Sequence, residues 1–497
     1  MATKIETKTE QKTEEKKEEK PTPKDNLVQS KHSVRIAGKT VKYTVTTGTM
    51  ILKEEIHDKD KDAEVEKPRA QIFFIAYTKD DVKDKAKRPV TFSFNGGPGS
   101  SSVWLHMGVL GPRRVVLTDE GELPPPPFKL TDNQYSVLDD TDLVFIDPMG
   151  TGFSRPVEGE KAKEWHGFKK DIESVGDFIR LYVTRYNRWL SPKFLAGESY
   201  GTTRAAGLSG YLQERHGMYL NGLMLISAVL DFTTIDFNLN NELPYVLFLP
   251  GYAATAWYHG KLNFKVPLKT FLKEVEEFAL GQYAAALLKG DMLTPEERTN
   301  IVEKLSRYTG LSQDFIERTN LRITDMHFFK ELLRERGRTI GRLDSRFTGI
   351  DRSGVTATIE YDPLLTNVTG PYTAAFYDYI RSELKFESDL PYEILSEKVW
   401  MNWTYSQFEN QYLNVAETLR QSMTYNKYLK VFVANGYYDL GTPYFATEYT
   451  FNHLNLDKSL RGNISMGYYD AGHMMYIHIP SLKAMKKDLT KFIKDAS

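Results

Sequence analysis

The sequence predicts an α/β fold with a mostly parallel central sheet, and three observations support this prediction. Two continuous apolar runs, "RPVTFSFNGG" and "TDLVFIDPMGTGFS", end in glycine-rich loops, as buried parallel strands do. A third run, "FLAGESYG", leads through Ser199 into a helix rich in small residues. The segment before it has apolar residues at helical spacing, which are Phe168, Ile172, Val175, Ile179, Tyr182 and Tyr186. Such a strand, helix and strand series places a binding site at the carboxyl edge of the sheet.

The chain before these strands divides into a charged tail and an antiparallel start of the sheet. Residues 1–30 mix charges of both signs with almost no large apolar side chains, so we expect a disordered tail. An interaction arm is the alternative, although the mixed charge offers no coherent patch. From Ser33 onward, "SVRIAGKTVKYTVTTGTMIL" and "AQIFFIAYT" are rich in β-branched and aromatic residues and predict antiparallel strands.

One interrupted α/β domain is predicted to follow the tail. Its first part covers 31–235, and amphipathic stretches without a convincing buried strand predict a helical insertion over 236–395. Its second part, 396–497, adds the strands "YLKVFVANG" and "NISMGYYDAGH" and a closing helix. Neither end piece has enough strands to form a sheet alone, so the two parts are expected to build one domain.

Composition limits the partners and the compartment. The 497 residues contain 65 Lys and Arg against 66 Asp and Glu, so nothing predicts attraction to nucleic acid or an anionic membrane. The chain has no cysteine, which excludes disulfides, thiolate metal sites and a cysteine nucleophile. No apolar run approaches the about 18 residues of a spanning helix, and no signal-peptide core is present. We therefore expect a soluble protein, secreted or periplasmic only if a leader was removed, of undetermined oligomeric state.

The pentapeptide Gly197-Glu198-Ser199-Tyr200-Gly201 fits a nucleophile elbow. In that turn the chain bends so tightly that only glycine fits two positions before and two positions after the serine, and the hydroxyl is exposed. An ordinary strand-to-helix turn is the alternative for so short a pattern, so the surrounding sequence has to decide.

A reactive serine needs a general base and an acid that orients it, and in doubly wound hydrolases the chain order is serine, acid, histidine. His473 in "YDAGHMM" follows a strand and a glycine, and is the predicted base. Asp439 in "VFVANGYYDLGTP" follows the preceding strand and is the predicted acid, with Asp470 as the rival. The other histidines beyond residue 300 are expected to be structural, and they are His327, His453 and His478.

Two backbone N–H groups are expected to stabilise the oxyanion that forms when the serine attacks. The residue after the nucleophile, Tyr200, supplies one, and Gly97 in "NGGPGSS" can supply the other. A phosphate-binding loop is the competing use of these glycines, but Pro98 removes a donor and no Gly-Lys-Ser/Thr follows. No metal ion and no organic cofactor are expected.

With the motifs "NGGPGSS", "DPMGTGFS", "GESYG", "NGYYDLGTP" and "AGHM" in this order, the sequence resembles the serine carboxypeptidase family of α/β-hydrolases. The resemblance covers roughly residues 88–235 and 425–497, with the insertion at the position of the family's cap. It implies an α/β-hydrolase fold and a serine hydrolase. Five residues match the family's machinery: Ser199, Asp439 and His473 as the triad, and Gly97 and Tyr200 as oxyanion donors.

The resemblance also implies a substrate. It implies that Asn95, Gly96 and Glu198 bind the free C-terminal carboxylate of a peptide, with the glutamate as a neutral acid that donates a hydrogen bond. The implied activity is removal of C-terminal residues through an acyl-enzyme, favoured at acidic pH. Two alternatives stay open, an esterase or acyltransferase with the same triad and a non-catalytic binding or protective protein on this fold.

Three positions depart from the family pattern. Ser93 stands where a Trp is usual, and Val109 stands where the family has a second Glu that pairs with the first and raises its pKa. This second departure puts the acidic preference in doubt. Ser100 replaces a cysteine of the family's disulfides. Without these disulfides, the insertion is expected to be held by packing alone.

Overall fold

The computed structural model describes residues 23–58 and 63–497. Most of the predicted tail, 1–22, lies outside the described residues. The prediction of disorder is wrong for 26–30, which form the start of an edge strand paired antiparallel with 45–49. The backbone ladder to the neighbouring strand, rather than burial of side chains, orders this segment, because most of its side chains are exposed.

The described residues form fourteen strands. They are β1 Asn26–Ile36, β2 Lys39–Asp58, β3 Ala63–Lys79, β4 Val90–Phe94, β5 Arg113–Val115, β6 Leu130–Asp132, β7 Asp142–Ile146, β8 Arg155–Pro156, β9 Lys193–Ser199, β10 Gly222–Ala228, β11 Thr339–Ile340, β12 Thr348–Gly349, β13 Lys430–Gly436 and β14 Ile464–Tyr469.

The main sheet has the strand order β1-β2-β3-β7-β4-β9-β10-β13-β14, with β8 beside β3. The pairs from β1 to β7 are antiparallel. The pairs from β7 through β4, β9, β10 and β13 to β14 are parallel. The predicted α/β fold with a mostly parallel sheet and an antiparallel start is confirmed.

Helices connect these strands. The described α-helices are α1 Val103–Leu105, α2 Phe168–Arg185, α3 Tyr200–His216, α4 Leu243–Tyr258, α5 Leu268–Phe278, α6 Ala284–Lys289, α7 Pro295–Thr309, α8 Gln313–Arg318, α9 Asp325–Glu331, α10 Pro363–Ser382, α11 Glu397–Met401, α12 Ala416–Tyr425, α13 Tyr444–Asn452 and α14 Ile479–Ala496.

Two apolar clusters lie on opposite faces of the sheet, because neighbouring residues of a strand point to opposite sides. On β3, Phe73 and Ile75 belong to one cluster, and Ile72 and Phe74 belong to the other. Helices α2, α3 and α12 contribute to the cluster of Ile72, whereas α10 and α14 contribute to that of Phe73. The sheet is therefore covered on both faces, as its continuous apolar strands require.

The predicted insertion, 236–395, packs as two separate pieces. Helices α4 to α9 share a third apolar cluster with residues 437–446, next to the loop that follows β13. Helix α10 instead packs against the sheet through Leu364, Val368 and Tyr372. The piece with helices α4 to α9 thus has its own apolar core next to the loop after β13, and the piece with α10 covers one face of the sheet.

Candidate active site

Ser199 stands at a strained turn between a strand and a helix. Strand β9 ends at Ser199 and α3 begins at the next residue, and the serine has φ 59° and ψ −131°. A positive φ is uncommon outside glycine. A Cβ on Gly197 would lie 2.1 Å from the carbonyl oxygen of Gly201, and one on Gly201 would lie 2.9 Å from that of Phe94. The close approach of the chain therefore requires both glycines of the pentapeptide.

His473 and Asp439 form a buried hydrogen-bonded pair, with 2.8 Å between Nδ1 and Oδ2. The carboxylate also accepts from the N–H groups of Gly441 and Thr442, at 2.8 and 3.0 Å, and from the Thr442 hydroxyl at 2.8 Å. Burial, the largest single effect, acts to lower the pKa of His473, but the charge and the hydrogen bond of Asp439 and the charge of Glu198 together outweigh it, and the pKa is raised above its usual 6.5. Asp470, the rival acid, is exposed at the surface.

The three residues of the expected triad follow three strands of one parallel set. Ser199 ends β9, Asp439 lies just after β13, and His473 lies just after β14. Strand β10 lies between β9 and β13 and is parallel to both, and β13 is parallel to β14. Strands β9, β13 and β14 therefore end at the same edge of the sheet. Glu198, the neighbour of the serine, contributes to the raised pKa of His473, so its carboxyl group lies close to the imidazole.

Contacts that sequence reasoning missed hold the main chain at His473. The Ser227 hydroxyl, at the end of β10, donates to the His473 carbonyl oxygen at 2.8 Å. The His473 N–H donates to the Leu343 carbonyl oxygen at 2.7 Å, and the Gly472 N–H donates to Asp344 Oδ2 at 2.9 Å. Leu343 and Asp344 belong to the insertion. No local pattern could have found them, because each acts through a partner distant in sequence.

Glu198 faces Asn95 across the first residues of the glycine-rich loop. Asn95 Nδ2 donates to Glu198 Oε1 at 3.0 Å, and Asn95 Oδ1 accepts from the Leu105 N–H at 3.1 Å. Burial raises the pKa of Glu198 to about 7, against smaller opposing effects of His473, Tyr476 and Asn95. A large fraction of this carboxyl group is therefore a neutral acid near neutral pH.

The glycine-rich loop passes directly beside the N-terminus of α3. A Cβ on Gly96 would lie 2.5 Å from the Tyr200 nitrogen, and Gly97 has φ 104°. The N–H of Tyr200 is in the first turn of the helix, where no acceptor is available within the helix. The glycine at position 96 leaves room in front of that N–H. The structure thus brings Asn95, Gly96 and Gly97 against the turn at Ser199.

A buried ion pair supports this side of the site, and sequence reasoning did not single it out. Arg204 Nε lies 2.8 Å from Asp171 Oδ2, and Arg204 Nη1 donates to the Asn95 carbonyl oxygen at 2.5 Å. The guanidinium also lies 5.2 Å from the centre of the Tyr200 ring. The only local signal was an arginine within the small-residue stretch "TTRAAGLSG".

Backbone hydrogen bonds connect the loop around Ser100 to residues 394–396, where the insertion ends and the second part of the domain begins. The Ser396 N–H donates to the Gly99 carbonyl oxygen at 2.8 Å, and the Ser101 N–H donates to the Ile394 carbonyl oxygen at 3.0 Å. The prediction that packing alone holds the insertion is therefore wrong. The two backbones run side by side at the position where the family resemblance implies a disulfide.

Over residues 23–58 and 63–497, no three or more His, Asp or Glu side chains are grouped so that they could ligate one metal ion. In the same ranges, none of the helices combines the length and apolar character needed to cross a bilayer.

The fold is that of the α/β-hydrolases. The crystal structure of KEX1, a prohormone-processing carboxypeptidase from Saccharomyces cerevisiae, superimposes with a TM-score of 0.56 at 17% sequence identity, over 91% of this chain and 92% of that chain. At so low an identity this similarity establishes the fold alone.

Sequence comparison identifies the family within that fold. The family profile described as serine carboxypeptidase matches residues 63–468, and the chain belongs to that family. The pheromone-processing carboxypeptidase KEX1 of Saccharomyces cerevisiae (strain JAY291) is 33% identical over 160 residues, which are 31% of this chain and 20% of the relative. Serine carboxypeptidase-like 36 of Arabidopsis thaliana is 29% identical over 164 residues, 32% of this chain and 31% of the relative. The matched stretches therefore span less than a third of these relatives.

Proposed function

We propose that this protein is a serine-type carboxypeptidase that releases C-terminal residues from peptides through an acyl-enzyme intermediate. The observation that carries the proposal is the placement of two different carboxyl groups around one strained serine. Asp439 is hydrogen-bonded to the imidazole of His473, and Glu198, next to Ser199 in the chain, is hydrogen-bonded to Asn95. The first arrangement suits proton transfer, and the second suits recognition of a terminal carboxylate.

In the proposed reaction His473 takes the proton of the Ser199 hydroxyl as the oxygen attacks the last peptide carbonyl. Asp439 holds Nδ1 and stabilises the imidazolium that forms, so Nε2 is the atom that exchanges the proton. The backbone N–H groups of Gly97 and Tyr200 stabilise the oxyanion. His473 then protonates the departing amine, and water releases the shortened peptide by the same steps in reverse order.

Glu198 and Asn95 are proposed to bind the carboxylate of the departing residue, together with the backbone at Gly96. A neutral carboxyl group donates a hydrogen bond to a carboxylate, whereas two carboxylates would repel each other. The raised pKa of Glu198, about 7, supports this role up to neutral pH. Above that pH the proposed donor is lost, so hydrolysis of peptide acids should decline.

An esterase or acyltransferase with the same triad is the second candidate, and one observation favours it. Val109 is fully buried among apolar side chains, at the position where the family has a second glutamate. Glu198 therefore has no carboxyl partner at this position. If that partner is indispensable for binding a terminal carboxylate, the site would act on acyl groups without one.

The deciding experiment is mass-spectrometric digestion of three substrates between about pH 4 and pH 8. They are an N-blocked dipeptide acid, its C-terminal amide and a matched ester, with Ser199→Ala as the inactive control. We expect release of the last residue from the acid and hardly any from the amide. Cleavage of the ester alone would replace the proposal with the esterase or acyltransferase. No serine-dependent cleavage of any substrate would point to a non-catalytic protein.

A further inference from the structure

Two buried polar atoms beside Ser199 lack hydrogen-bond partners among the described residues. They are Oε2 of Glu198 and the hydroxyl oxygen of Tyr476, and their side chains are 4% and 1% exposed. Buried polar atoms without partners are rare and cost free energy. Each of the two groups acts on the pKa of the other, and the hydroxyl lowers that of Glu198 as a hydrogen-bonding neighbour does, so they lie close together. The two atoms are thus within reach of each other but outside the geometry of a well-formed hydrogen bond.

The fold is shaped to hold the Tyr476 ring at this place. Tyr476 lies in the short turn 475–477, just after His473 and before α14. A Cβ on Gly108 would lie 2.4 Å from Cε2 of that ring and 2.8 Å from the Tyr372 hydroxyl. The neighbouring Val109 is fully buried in the same apolar cluster. Glycine at position 108 therefore admits the tyrosine ring.

We propose that Tyr476 is a positioning residue for Glu198. When a peptide acid binds, the amide of Asn95, which donates to Oε1 in the free protein, donates to the terminal carboxylate instead, and the Tyr476 hydroxyl donates to Oε2. Oε2 is then the carbonyl oxygen, and the acid proton of Glu198 lies on Oε1. Oε1 lies beside Asn95 Nδ2, and from there its proton is donated to the terminal carboxylate of the substrate. This inference rests on the proposed carboxypeptidase function and names the group that replaces a second carboxyl.

The proton count supports this assignment. A neutral carboxyl group carries one O–H and one carbonyl oxygen, so a donor bonded to Oε2 makes Oε2 the carbonyl oxygen. Burial keeps the pKa of Tyr476 well above 10, so the phenol stays a donor throughout the working pH range. A second carboxyl group would instead compete for the proton.

Other charged groups face this pair and would share its response to pH. His473 lowers and Asp439 raises the pKa of Glu198. Besides burial, the charge of Glu198 raises the pKa of the Tyr372 hydroxyl, and the guanidinium of Arg114 lowers it, so these two groups also lie near the pair. These groups stay in place in a Tyr476→Phe variant, so the change in its pH profile reports on the hydroxyl.

The test compares Tyr476→Phe with the unmodified protein on an N-blocked dipeptide acid and its matched ester, between about pH 5 and pH 9. We expect the KM for the acid to rise up to about tenfold, which corresponds to the loss of one hydrogen bond between uncharged groups. The kcat/KM for the ester should stay within about twofold. The alkaline limb of the acid profile should also move to higher pH, because the hydroxyl acts to lower the pKa of Glu198.

A matched control is Tyr283→Phe, which removes an equally buried hydroxyl that donates to Leu321 within the insertion. It should leave both substrates unaffected. The inference is overturned if Tyr476→Phe leaves the KM for the acid unchanged, weakens acid and ester equally, or leaves the alkaline limb in place.

A protein that cleaves no peptide acid at all would refute the proposed function, and the inference is then tested by binding. In a Ser199→Ala background, titration with an N-acyl amino acid should show up to about tenfold weaker affinity when Tyr476→Phe is added. Equal affinity with and without the Tyr476 hydroxyl would overturn the inference by itself.

Discussion

The carboxyl groups of Asp439 and Glu198 are buried to a similar degree but differ in their hydrogen-bond partners. Asp439 is 1% exposed and accepts from two backbone N–H groups, a hydroxyl and the imidazole. Glu198 is 4% exposed and accepts from one amide, while its Oε2 has no partner in the described part of the chain. At similar burial, the two carboxyl groups therefore differ in the number of hydrogen-bond donors around them, and burial with few donors raises the pKa of Glu198.

The largest effect is expected when the carboxylate of Asp439 is replaced by an amide. Asp439→Asn would place an amide opposite His473 Nδ1 and favour the wrong tautomer of the imidazole. We expect kcat to fall about 10⁴-fold on peptide acid and ester alike. Steady-state kinetics on both substrates would measure this. Asp470→Asn, at the exposed rival acid, is the control and should change kcat less than twofold; equal losses in the two variants would contradict the assignment of the acid.

The Glu198 side of the site depends on a buried ion pair, so its support can be broken in the same manner. Asp171→Asn leaves the Arg204 guanidinium buried without a counter-charge, and we expect a loss of about 4 kcal/mol in the free energy of unfolding. Urea denaturation would measure it. The control is Asp177, which lies on α2 like Asp171 and forms a partly exposed pair with His216 of α3. Asp177→Asn should cost less than about 1 kcal/mol. A similar small loss in both variants would show that the buried pair is not a main support.

The pH profile separates the two carboxyl groups directly. Glu198 is neutral below its raised pKa of about 7, so kcat/KM on a peptide acid should fall about tenfold per pH unit well above pH 7, while the ester rate is maintained. Both substrates should lose activity below the raised pKa of His473, because the base is then protonated. The two groups interact, so the measured pKa values belong to the pair.

Glu198→Gln should keep a neutral donor and remove the alkaline fall. The same substitution gives a stability test. Folding raises the pKa of Glu198 from 4.5 to about 7, so the folded state binds more protons in that window and the stability of the unmodified protein falls there as pH rises. The glutamine variant lacks this fall. A stability difference between the two proteins that stays constant from pH 4.5 to 7 would contradict the neutral acid.

The smallest expected effect concerns the support of the imidazole. Ser227→Ala removes one hydrogen bond to the His473 carbonyl oxygen, worth about 1 kcal/mol, so we expect kcat to fall up to about fivefold on acid and ester. Parallel kinetics on the two substrates would measure it. A loss confined to the peptide acid would mean that Ser227 acts on the Glu198 side of the site.

The sequence predicted the residues whose positions follow from local chain geometry. Gly197 and Gly201 could be predicted because a tight turn excludes side chains. His473 and Asp439 could be predicted because parallel strands end at one edge of the sheet. The roles of these residues in the reaction stay a proposal. The contacts of Arg204, Ser227 and Asp344 could not be predicted, because each of these residues reaches the site through a partner that is distant in sequence.

The parallel strands, the tight turn at Ser199 and the family could be predicted from local patterns, since apolar runs and glycine spacing constrain the backbone over a few residues. Three features became visible only in the folded molecule: the packing of the insertion as two pieces, the contacts of Leu343 and Asp344 with the His473 loop, and the position of Tyr476 beside Glu198. These contacts join segments that are far apart in sequence. Which segments meet depends on side-chain volume and on hydrogen-bonding atoms that need a partner, and no local sequence pattern indicates this.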